Sequence, residues 1–435
     1  ENPAKMYLRH NIILSLFISI VVISCSKDQD DFVKINKTNF EINGKDYTYI
    51  GTNYWYGPSL YFQKDEQRGI KRLSSELDFL VSKGIKNLRI VAAVEGEGLL
   101  QGVPRVGPVY QSAPGVFQAD NLKGLDLLLS EMSKRNMKAV LFFSNNWDWS
   151  GGFLQYLRWN NQVTEEDFQA KLSWDSLRDV VSKFYSCAPC KEQYLDQVRS
   201  IINRKNTVTG QIYKDDGTIM AWQLANEPRP MRPAALADYI KWISDVAAEI
   251  KKIDSKHLVT IGVEGEIGTE NIETFKKIHS DKNIDYATIH IWPRNWSWYK
   301  ELHDEGQFAQ VLELTKSYID SHSDVMKELG KPLVLEEFGY PRDNNSFSPD
   351  EKTSIRDKFY GEILNKWNNG IKDKSPLRGI NFWAFGGQAR PIKNQNFWKE
   401  GDDYMGDPPM EEQGLYSVFD SDTSTWNVIT KYQIK

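Results

Sequence analysis

The sequence has few of the residues that carry redox and metal chemistry. Its 435 residues include only 3 cysteines and 6 histidines, and the histidines are scattered, with no His-x-x-x-His pair. This distribution does not favour a zinc hydrolase. The chain also has no Gly-x-Ser-x-Gly elbow and no P-loop. We therefore expect no metal and no cofactor.

Positive charge is not in excess either. The formal net charge is -5, and 26% of the residues are charged. A nucleic-acid-binding protein needs a basic surface, so we expect no nucleic-acid partner. Aromatic residues, in contrast, make up 12% of the chain and include 14 tryptophans. Flat apolar rings suit either a large core or a ligand with flat C–H faces, such as a pyranose sugar.

The N-terminus has the pattern of a targeting segment. From Met6 a short polar region leads into the apolar run 12–23, which is too short to span a bilayer comfortably. Val-Ile-Ser before Cys25 resembles the lipobox of bacterial lipoproteins. The resemblance implies a signal peptide over residues 1–25, with residues 1–5 extraneous, and a lipid on Cys25. A plain cleaved signal is the alternative.

Acidic residues directly after Cys25 resemble a surface-export signal. We therefore expect an exported outer-membrane lipoprotein, at the cell surface or facing the periplasm, which touches the membrane only through its lipid. Residues 26–38 are expected to form a polar linker. Cys187 and Cys190 are the remaining cysteines, and in an exported protein their spacing favours a local disulfide. A redox-active pair is the alternative.

Helical and strand patterns alternate along the rest of the chain. Leu73, Leu77 and Leu80 recur at helical spacing before a Gly and a buried apolar run, and this step repeats to the C-terminus. About eight such strands predict a single α/β domain over residues 39–435, a (β/α)8 TIM barrel. The loops that follow the strands form the mouth of such a barrel, where active sites lie. The predicted strands are 47–52, 85–91, 137–143, 218–225, 258–263, 286–291, 332–335 and 379–383.

Two glutamates stand at predicted strand ends. Glu227 is followed by Pro228, which ends the strand and favours an extended conformation at Glu227. Glu337 ends the apolar run that begins at Leu333. One protonated and one ionised carboxyl group are the minimal equipment for hydrolysis of a glycosidic bond. Rim glutamates that only make salt bridges are the alternative interpretation.

Glu336 precedes Glu337, and strand geometry suggests which of them acts. Successive side chains of a strand point to opposite faces, so we expect only one of the two to face the barrel centre. Glu337 shares a face with Leu333 and Leu335 and lies next to Gly339, where the backbone has room to turn. This predicts Glu337 as the catalytic residue and Glu336 as a structural residue on the other side.

The sequences Asn226-Glu227-Pro228 and Glu337-Phe338-Gly339 resemble glycoside hydrolase family 5. The resemblance covers nearly the whole chain after the linker and implies a retaining mechanism, with Glu227 as acid/base and Glu337 as nucleophile. Matching positions imply further roles. Arg89 would hold Glu337 ionised, Asn226 would bind the sugar 2-hydroxyl, His290 would bind sugar or orient the acid, and Trp383 would form the floor under the sugar.

One position departs from the family pattern. Most members carry His-x-Tyr on the sixth strand, and the tyrosine donates a hydrogen bond to the nucleophile, whereas this chain has His290-Ile291-Trp292. An indole N–H can donate one hydrogen bond but cannot accept one. Trp292 either replaces the tyrosine in positioning Glu337 or packs in the core.

Four short sequences are similar to those of the endo-β-1,4-mannanases of that family: Asn226-Glu227-Pro228-Arg229, Asn145-Asn146-Trp147, Trp292-Pro293-Arg294 and Asp407-Pro408-Pro409. This likeness implies that Arg229 contacts a sugar on the leaving-group side, and that Trp55, Trp147 and Trp296 are candidate stacking platforms. The implied substrate is β-1,4-mannan, glucomannan or galactomannan, cut by a monomer. A family-5 endo-β-1,4-glucanase and a non-catalytic surface glycan-binding lipoprotein are the alternatives.

Overall fold

Eight parallel strands form one sheet that curls into a barrel. The computed structural model describes residues 31–63 and 65–433. In chain order the barrel strands β1–β8 are Tyr49–Asn53, Asn87–Val91, Lys138–Phe142, Ile219–Gln223, Leu258–Thr260, Ala287–Ile291, Leu333–Phe338 and Leu377–Phe382. Their hydrogen-bonded order is β5-β4-β3-β2-β1-β8-β7-β6. This is the strand order of a (β/α)8 barrel, so the predicted fold is confirmed.

Helices between the strands pack around the sheet. The described residues form α1–α12 at Glu66–Ser82, Lys123–Ser133, Gly152–Trp159, Glu165–Gln169, Trp174–Ser182, Ala188–Ile202, Leu236–Ile253, Glu266–Thr269, Ile272–His279, Glu305–Leu329, Ser354–Lys372 and Thr423–Lys431. Helix α10 shows why the boundaries fall where they do. The Asp304 side chain accepts from the Gln307 N–H at its start, and Gly330 ends it with a φ of 68°.

The barrel closes between β5 and β6 without a regular ladder. The backbone N–H of Asp285 donates to the Val259 carbonyl oxygen at 2.8 Å. The hydroxyl of Thr260 donates to the Tyr286 carbonyl oxygen, and that of Thr288 to the Val263 carbonyl oxygen, each at 2.8 Å. Backbone hydrogen bonds and threonine hydroxyl donors together thus join the two strands in place of a regular ladder.

A small antiparallel sheet covers the bottom of the barrel. Its strands are Lys34–Asn36, Asn39–Ile42 and Lys45–Asp46. Asn43 and Gly44 have positive φ values of 53° and 73°, which suit an Asn-Gly turn between two strands. The first strand lies within residues 26–38, so the prediction that this whole segment is a linker is wrong. Buried Val33 and Phe40 hold it against the underside of the barrel.

The loops at the mouth contain short strands of their own. Leu99–Leu100 pairs with Val103–Pro104, and Gln111–Ala113 pairs with Val116–Phe117, both in the loop after β2. Phe385–Gly387 pairs with Val418–Phe419 and brackets the long loop after β8.

Cys187 and Cys190 form a disulfide at the start of α6, with their Cα atoms 5.3 Å apart. The predicted signal peptide and Cys25 lie outside the described residues. Within the described part of the chain, no helix has the length and apolar character needed to cross a membrane.

Candidate active site

The carboxyl ends of the strands open into a cavity of about 730 Å³. Both predicted catalytic carboxylates, Glu227 and Glu337, line it. The other predicted site residues that line it are Asn226, Arg229, Trp147, Trp292, Trp296 and Trp383. The structure therefore brings most of the predicted site together at the mouth of the barrel.

The backbone at Glu227 turns sharply as it leaves β4. Its φ is 51°, so the expectation that Pro228 keeps Glu227 extended is wrong. The Glu227 N–H donates to the carbonyl oxygen of Gly262, after β5, at 2.9 Å, and this bond to the neighbouring loop helps to hold the left-handed conformation. Such strained backbone costs about 1–3 kcal/mol and is concentrated at functional sites.

The Glu227 carboxylate is held from two sides. Oε1 lies 2.6 Å from Nδ1 of His290, and Oε2 accepts a hydrogen bond from the Trp147 indole N–H at 2.5 Å. His290 is fully buried. Of the two roles expected for His290, its position fits orientation of the acid and leaves the ring out of reach of a sugar in the cavity.

The Glu337 carboxylate also receives a donor at each oxygen. Arg89 Nη1 donates to Oε1 at 2.5 Å, and the Trp292 indole N–H donates to Oε2 at 3.1 Å. Trp292 thus donates to Glu337 at the position where the resemblance led us to expect a tyrosine. The other Arg89 nitrogens donate to Gln223 Oε1 and Asn226 Oδ1, at 2.9 and 2.7 Å, which fixes the guanidinium.

The Asn226 amide is engaged on both sides. Its Oδ1 accepts from Arg89, and its Nδ2 donates to Asn145 Oδ1 at 3.1 Å. Asn226 still lines the cavity and therefore remains placed to meet a sugar hydroxyl.

Glu336 does not point to the outer side of the barrel, as strand alternation predicted. The register of β6 and β7 shifts so that Ile289 pairs with Leu335 and His290 with Glu337, and Glu336 is the extra residue of a bulge. Its carboxylate accepts from Gln223 Nε2 at 2.7 and 2.8 Å. Both glutamates therefore face inward. Only Glu337 reaches the cavity, because Glu336 lies beneath it.

Three buried carboxylates surround His290, and this determines the charges of the site. Burial alone would lower the pKa of His290, but Glu337, Glu227 and Glu336 together raise it to about 10. Burial raises the pKa of Glu337 to about 7, and the nearby Glu227 adds to that rise. Burial also disfavours ionised Glu227, yet its hydrogen bond and ion pair with His290 bring its pKa below the usual value.

The predicted tryptophans do not all reach the cavity. Trp147, Trp296 and Trp383 line it, but Trp55 is fully buried and donates to the Gly406 carbonyl oxygen at 2.8 Å. The prediction that Trp55 is a stacking platform is therefore wrong. Its ring packs under the loops, with Trp149 6.0 Å away, centroid to centroid.

Arg229 lies on the Glu227 side of the cavity between charged and aromatic neighbours. Its Nε and Nη2 donate to the two Glu264 carboxylate oxygens at 2.5 and 2.7 Å. Its guanidinium also lies over the rings of Trp147 and Trp174, 5.3 and 5.7 Å from their centroids. This stack holds Arg229 in the cavity wall beside Trp147, the residue that donates to Glu227.

Comparison with known proteins agrees with this geometry. A family model described as glycoside hydrolase family 5 β-mannosidase-like matches residues 30–435. The chain belongs to this family.

Curated relatives of the family-5 chain include plant enzymes. Mannan endo-1,4-β-mannosidase 5 of Solanum lycopersicum is 29% identical over 374 residues, which are 82% of each chain. Mannan endo-1,4-β-mannosidase 2 of Arabidopsis thaliana is 31% identical over 371 residues, 81% of this chain and 78% of the relative.

Solved structures show the same fold. A glycoside hydrolase family 5 mannosidase from Rhizomucor miehei is 32% identical, covers 93% of this chain and 97% of its own, and superposes with a TM-score of 0.83. An endo-β-1,4-mannanase from Thermotoga petrophila is 24% identical, covers 90% of this chain and 77% of its own, and has a TM-score of 0.64.

Several cavity residues of this family-5 site were missed by the sequence analysis. Trp174, Glu264 and Glu411 line the cavity and come from three different segments: α5, the loop after β5 and the loop after β8. The exposed Trp174, whose neighbours in sequence are polar, gave the only usable signal. Glu264 and Glu411 are ordinary acidic residues in loops, and only the fold brings them to the site.

Glu227, His290 and Glu337 also have the spacing of a possible metal-ligand group. One ligand atom from each lies within 4.8 Å of the other two. The cations Arg89 and His290 already balance the carboxylates of this cluster, since His290 carries a proton below a pKa of about 10. The three side chains therefore fit a cluster whose charges are balanced by the protonated His290 and by Arg89, and they do not require a metal ion.

Proposed function

We propose that this protein hydrolyses β-1,4-linked mannan with retention of anomeric configuration. In the first step, Glu337 attacks the anomeric carbon while Glu227 gives its proton to the departing glycosidic oxygen, and a covalent mannosyl ester forms. In the second step, Glu227 takes a proton from water, whose oxygen bonds to the same carbon as the ester breaks. Both carboxyl groups return to their starting state.

The separation of the two carboxyl groups carries this proposal. One oxygen of Glu227 and one of Glu337 lie within 4.8 Å of each other. Retaining glycosidases have carboxyl groups about 5–5.5 Å apart, whereas inverting enzymes keep them about 6.5–9.5 Å apart to admit water. The close pair favours attack by Glu337 over attack by a water held between them.

His290 holds the proton of the Glu227–His290 pair, because the pKa of Glu227 lies below its usual value and that of His290 is raised to about 10. The short contact between Glu227 Oε1 and His290 Nδ1 lets this proton be shared by the pair. Glu337 has donors at both oxygens, which favours its ionised form once the pH exceeds its pKa of about 7. Activity should therefore rise with pH through about 7 and fall near 10, where His290 loses its proton.

The plant relatives, named mannan endo-1,4-β-mannosidases, support an endo-acting mannanase as the first candidate. A β-mannosidase that acts on chain ends is the second. It is favoured by the β-mannosidase-like family description and by the higher TM-score of the Rhizomucor miehei mannosidase, 0.83 against 0.64 for the Thermotoga petrophila mannanase.

Hydrolysis assays on mannan, cellulose and mixed-linkage β-glucan test the activity. We expect reducing sugar from mannan only, and early products of several lengths if cutting is internal. Release of mannose alone from the start supports the second candidate. Proton NMR during the reaction should show the β-anomer first, and an α-anomer would contradict retention.

Glu337→Ala is the catalytic control for these assays. Because the variant lacks the nucleophile, it should lose turnover while keeping its melting temperature. Near-native activity of this variant would show that Glu337 is not the nucleophile. Mannan binding by the native chain with no sugar released would favour a non-catalytic binding protein.

We also propose that the chain is an exported lipoprotein anchored through Cys25, on the basis of the lipobox-like sequence alone. Metabolic labelling with a palmitate analogue should mark the native chain and leave Cys25→Ala unmarked. Surface labelling of intact cells separates a surface location from a periplasmic one, because a protein labelled only after lysis faces the periplasm.

A further inference from the structure

The acid/base residue does not lie on a barrel strand but in the loop that follows one. Strand β4 ends at Gln223, and Glu227 comes after it with the left-handed φ of 51°. The next residue, Pro228, has no N–H with which to anchor the turn. The direction of the Glu227 side chain therefore depends on the groups that hold the peptide carbonyls around it.

Two tyrosine hydroxyls donate to the two carbonyl groups that directly follow Glu227. The Tyr239 hydroxyl donates to the Pro228 carbonyl oxygen at 3.0 Å, and the Tyr185 hydroxyl donates to the Arg229 carbonyl oxygen at 2.8 Å. Tyr239 belongs to α7, whereas Tyr185 belongs to a short turn of 3-10 helix before α6. Two separate elements of the outer layer thus hold the same loop.

Both tyrosine side chains are fully buried and fixed by aromatic packing. The rings of Tyr185 and Tyr239 meet edge to face with their centroids 5.2 Å apart, and the Tyr185 centroid lies 5.5 Å from that of Trp242. Burial raises the pKa of both phenol groups above the usual value, so each keeps its proton and remains a donor. Neither tyrosine lines the cavity, and any effect on the reaction must pass through the loop.

The cavity side of the loop shows what its position controls. The Glu227 carboxylate meets the Trp147 indole N–H and the His290 ring, which come from the loop after β3 and from β6. A shift of the loop after β4 would therefore move the carboxyl group away from both partners and from the substrate. A displacement of about 1 Å can cost on the order of 100-fold in rate.

We propose that Tyr185 and Tyr239 are positioning residues, whose hydroxyl groups hold the loop after β4 so that the carboxyl group of Glu227 points at the glycosidic oxygen. This rests on the proposed β-mannan hydrolase activity. General acid catalysis matters most when the leaving group is a strong base, and a leaving group that is stable as an anion departs without a proton. Loss of either hydroxyl should therefore slow only the substrates that need the proton.

Aryl mannosides with different leaving groups test this role. Tyr185→Phe and Tyr239→Phe are compared with the native enzyme on phenyl and on 2,4-dinitrophenyl β-D-mannoside. The comparison uses kcat/KM, which reports the step in which the leaving group departs. We expect kcat/KM to fall about 10-fold or more on the phenyl mannoside and about twofold or less on the dinitrophenyl mannoside. A variant with both substitutions should show a larger difference.

Tyr213→Phe is the matched control. It also removes a buried hydroxyl, which donates to Asp126 at 2.6 Å in the segment before β4. This variant should lose melting temperature as the other two do, but it should treat the two mannosides as the native enzyme does. Melting temperatures of all variants verify folding.

The indole N–H of Trp147 reports the position of the Glu227 carboxylate without turnover. Because it donates to Glu227 at 2.5 Å, its NMR resonance should shift in both tyrosine variants, in the direction seen in Glu227→Gln, and stay in place in Tyr213→Phe.

Equal slowing of the two mannosides in both tyrosine variants would overturn the positioning role while leaving the hydrolase proposal intact. If the native chain cleaves no β-mannoside, the hydrolase proposal fails instead. The Trp147 resonance then decides whether the tyrosines hold Glu227, and an unshifted resonance in both variants counts against it.

Discussion

Trp292 stands where the family resemblance predicts a tyrosine, and its indole N–H hydrogen-bonds to Glu337. Its N–H donates to the oxygen of Glu337 that Arg89 does not reach. A single donor at this point steadies one carboxylate orientation, and a phenol or an indole can supply it. The identity of the ring therefore matters less than its hydrogen-bond donor.

Replacing Trp292 by Phe keeps an aromatic ring and removes the donor. We expect kcat on mannan oligosaccharides to fall about 10-fold or more, because hydrogen bonds to charged groups contribute about 1.5–3 kcal/mol. KM should change little. Trp292→Tyr, which restores a donor, should recover part of kcat. Equal losses in both variants would indicate that packing, and not the donor, is what matters.

Trp174 is 52% exposed, yet it is held beside Trp147 and Arg229, with the two indole centroids 6.2 Å apart. An ordered, exposed ring on the leaving-group side is suited to stacking on a sugar. Trp174→Ala should raise KM for mannopentaose about three- to tenfold and leave mannobiose nearly unaffected. Phe397→Ala, at another exposed aromatic residue outside the cavity, is the control. If KM rises for mannobiose as well as for mannopentaose, Trp174 does not bind a sugar distant from the cleaved bond.

At the scale of elements, the bulge in β7 is what makes the site compact. Without it Glu336 would face away from the barrel centre, whereas the observed register puts both glutamates inside. Glu336 then lies 3.4 Å from His290 Nε2 and 3.3 Å from Arg89 Nε. The bulge therefore adds a third negative charge under the two catalytic ones, and this charge helps to keep His290 protonated.

Glu336→Gln tests this contribution through the pH profile. Removing the charge should lower the pKa of His290 from about 10, so the alkaline limb of kcat/KM should move to lower pH. We expect a shift of about one pH unit. Glu328→Gln, an exposed substitution on α10, should leave the profile unchanged. An alkaline limb that stays in place would show that His290 does not control it.

At the scale of the whole molecule, the barrel could be read from the sequence because its strands are local apolar runs separated by helical patterns. Glu337 and Glu227 were found because the first lies near the end of such a strand and the second closely follows one, and Arg89, also on a strand, was found through the family resemblance. Glu411 and Trp174 could not be found, because their place depends on how long loops pack. The inward position of Glu336 depends on pairing with β6, and the burial of Trp55 depends on loops that cover it. Neither leaves a pattern in the sequence.

Buried neutral histidines predict how the folded protein responds to acid. Burial lowers the pKa of His279 to about 3 and that of His322 to about 4. His322 accepts from the Glu266 N–H through Nε2 at 2.9 Å, and protonation would break this bond in the segment that follows Glu264. In the unfolded chain both rings bind a proton near a pKa of about 6.5.

The unfolded state therefore binds more protons than the native state below about pH 6.5. The free energy of unfolding should decrease as the pH is lowered from about 6.5 to about 4. Each histidine contributes a slope of up to about 1.4 kcal/mol per pH unit. His322→Gln keeps an acceptor for the Glu266 N–H and removes the titration, so urea unfolding should show a shallower slope in this range. His303→Gln, at an exposed histidine, should keep the native slope. If the His322→Gln slope equals the native one, the acid sensitivity arises elsewhere in the barrel.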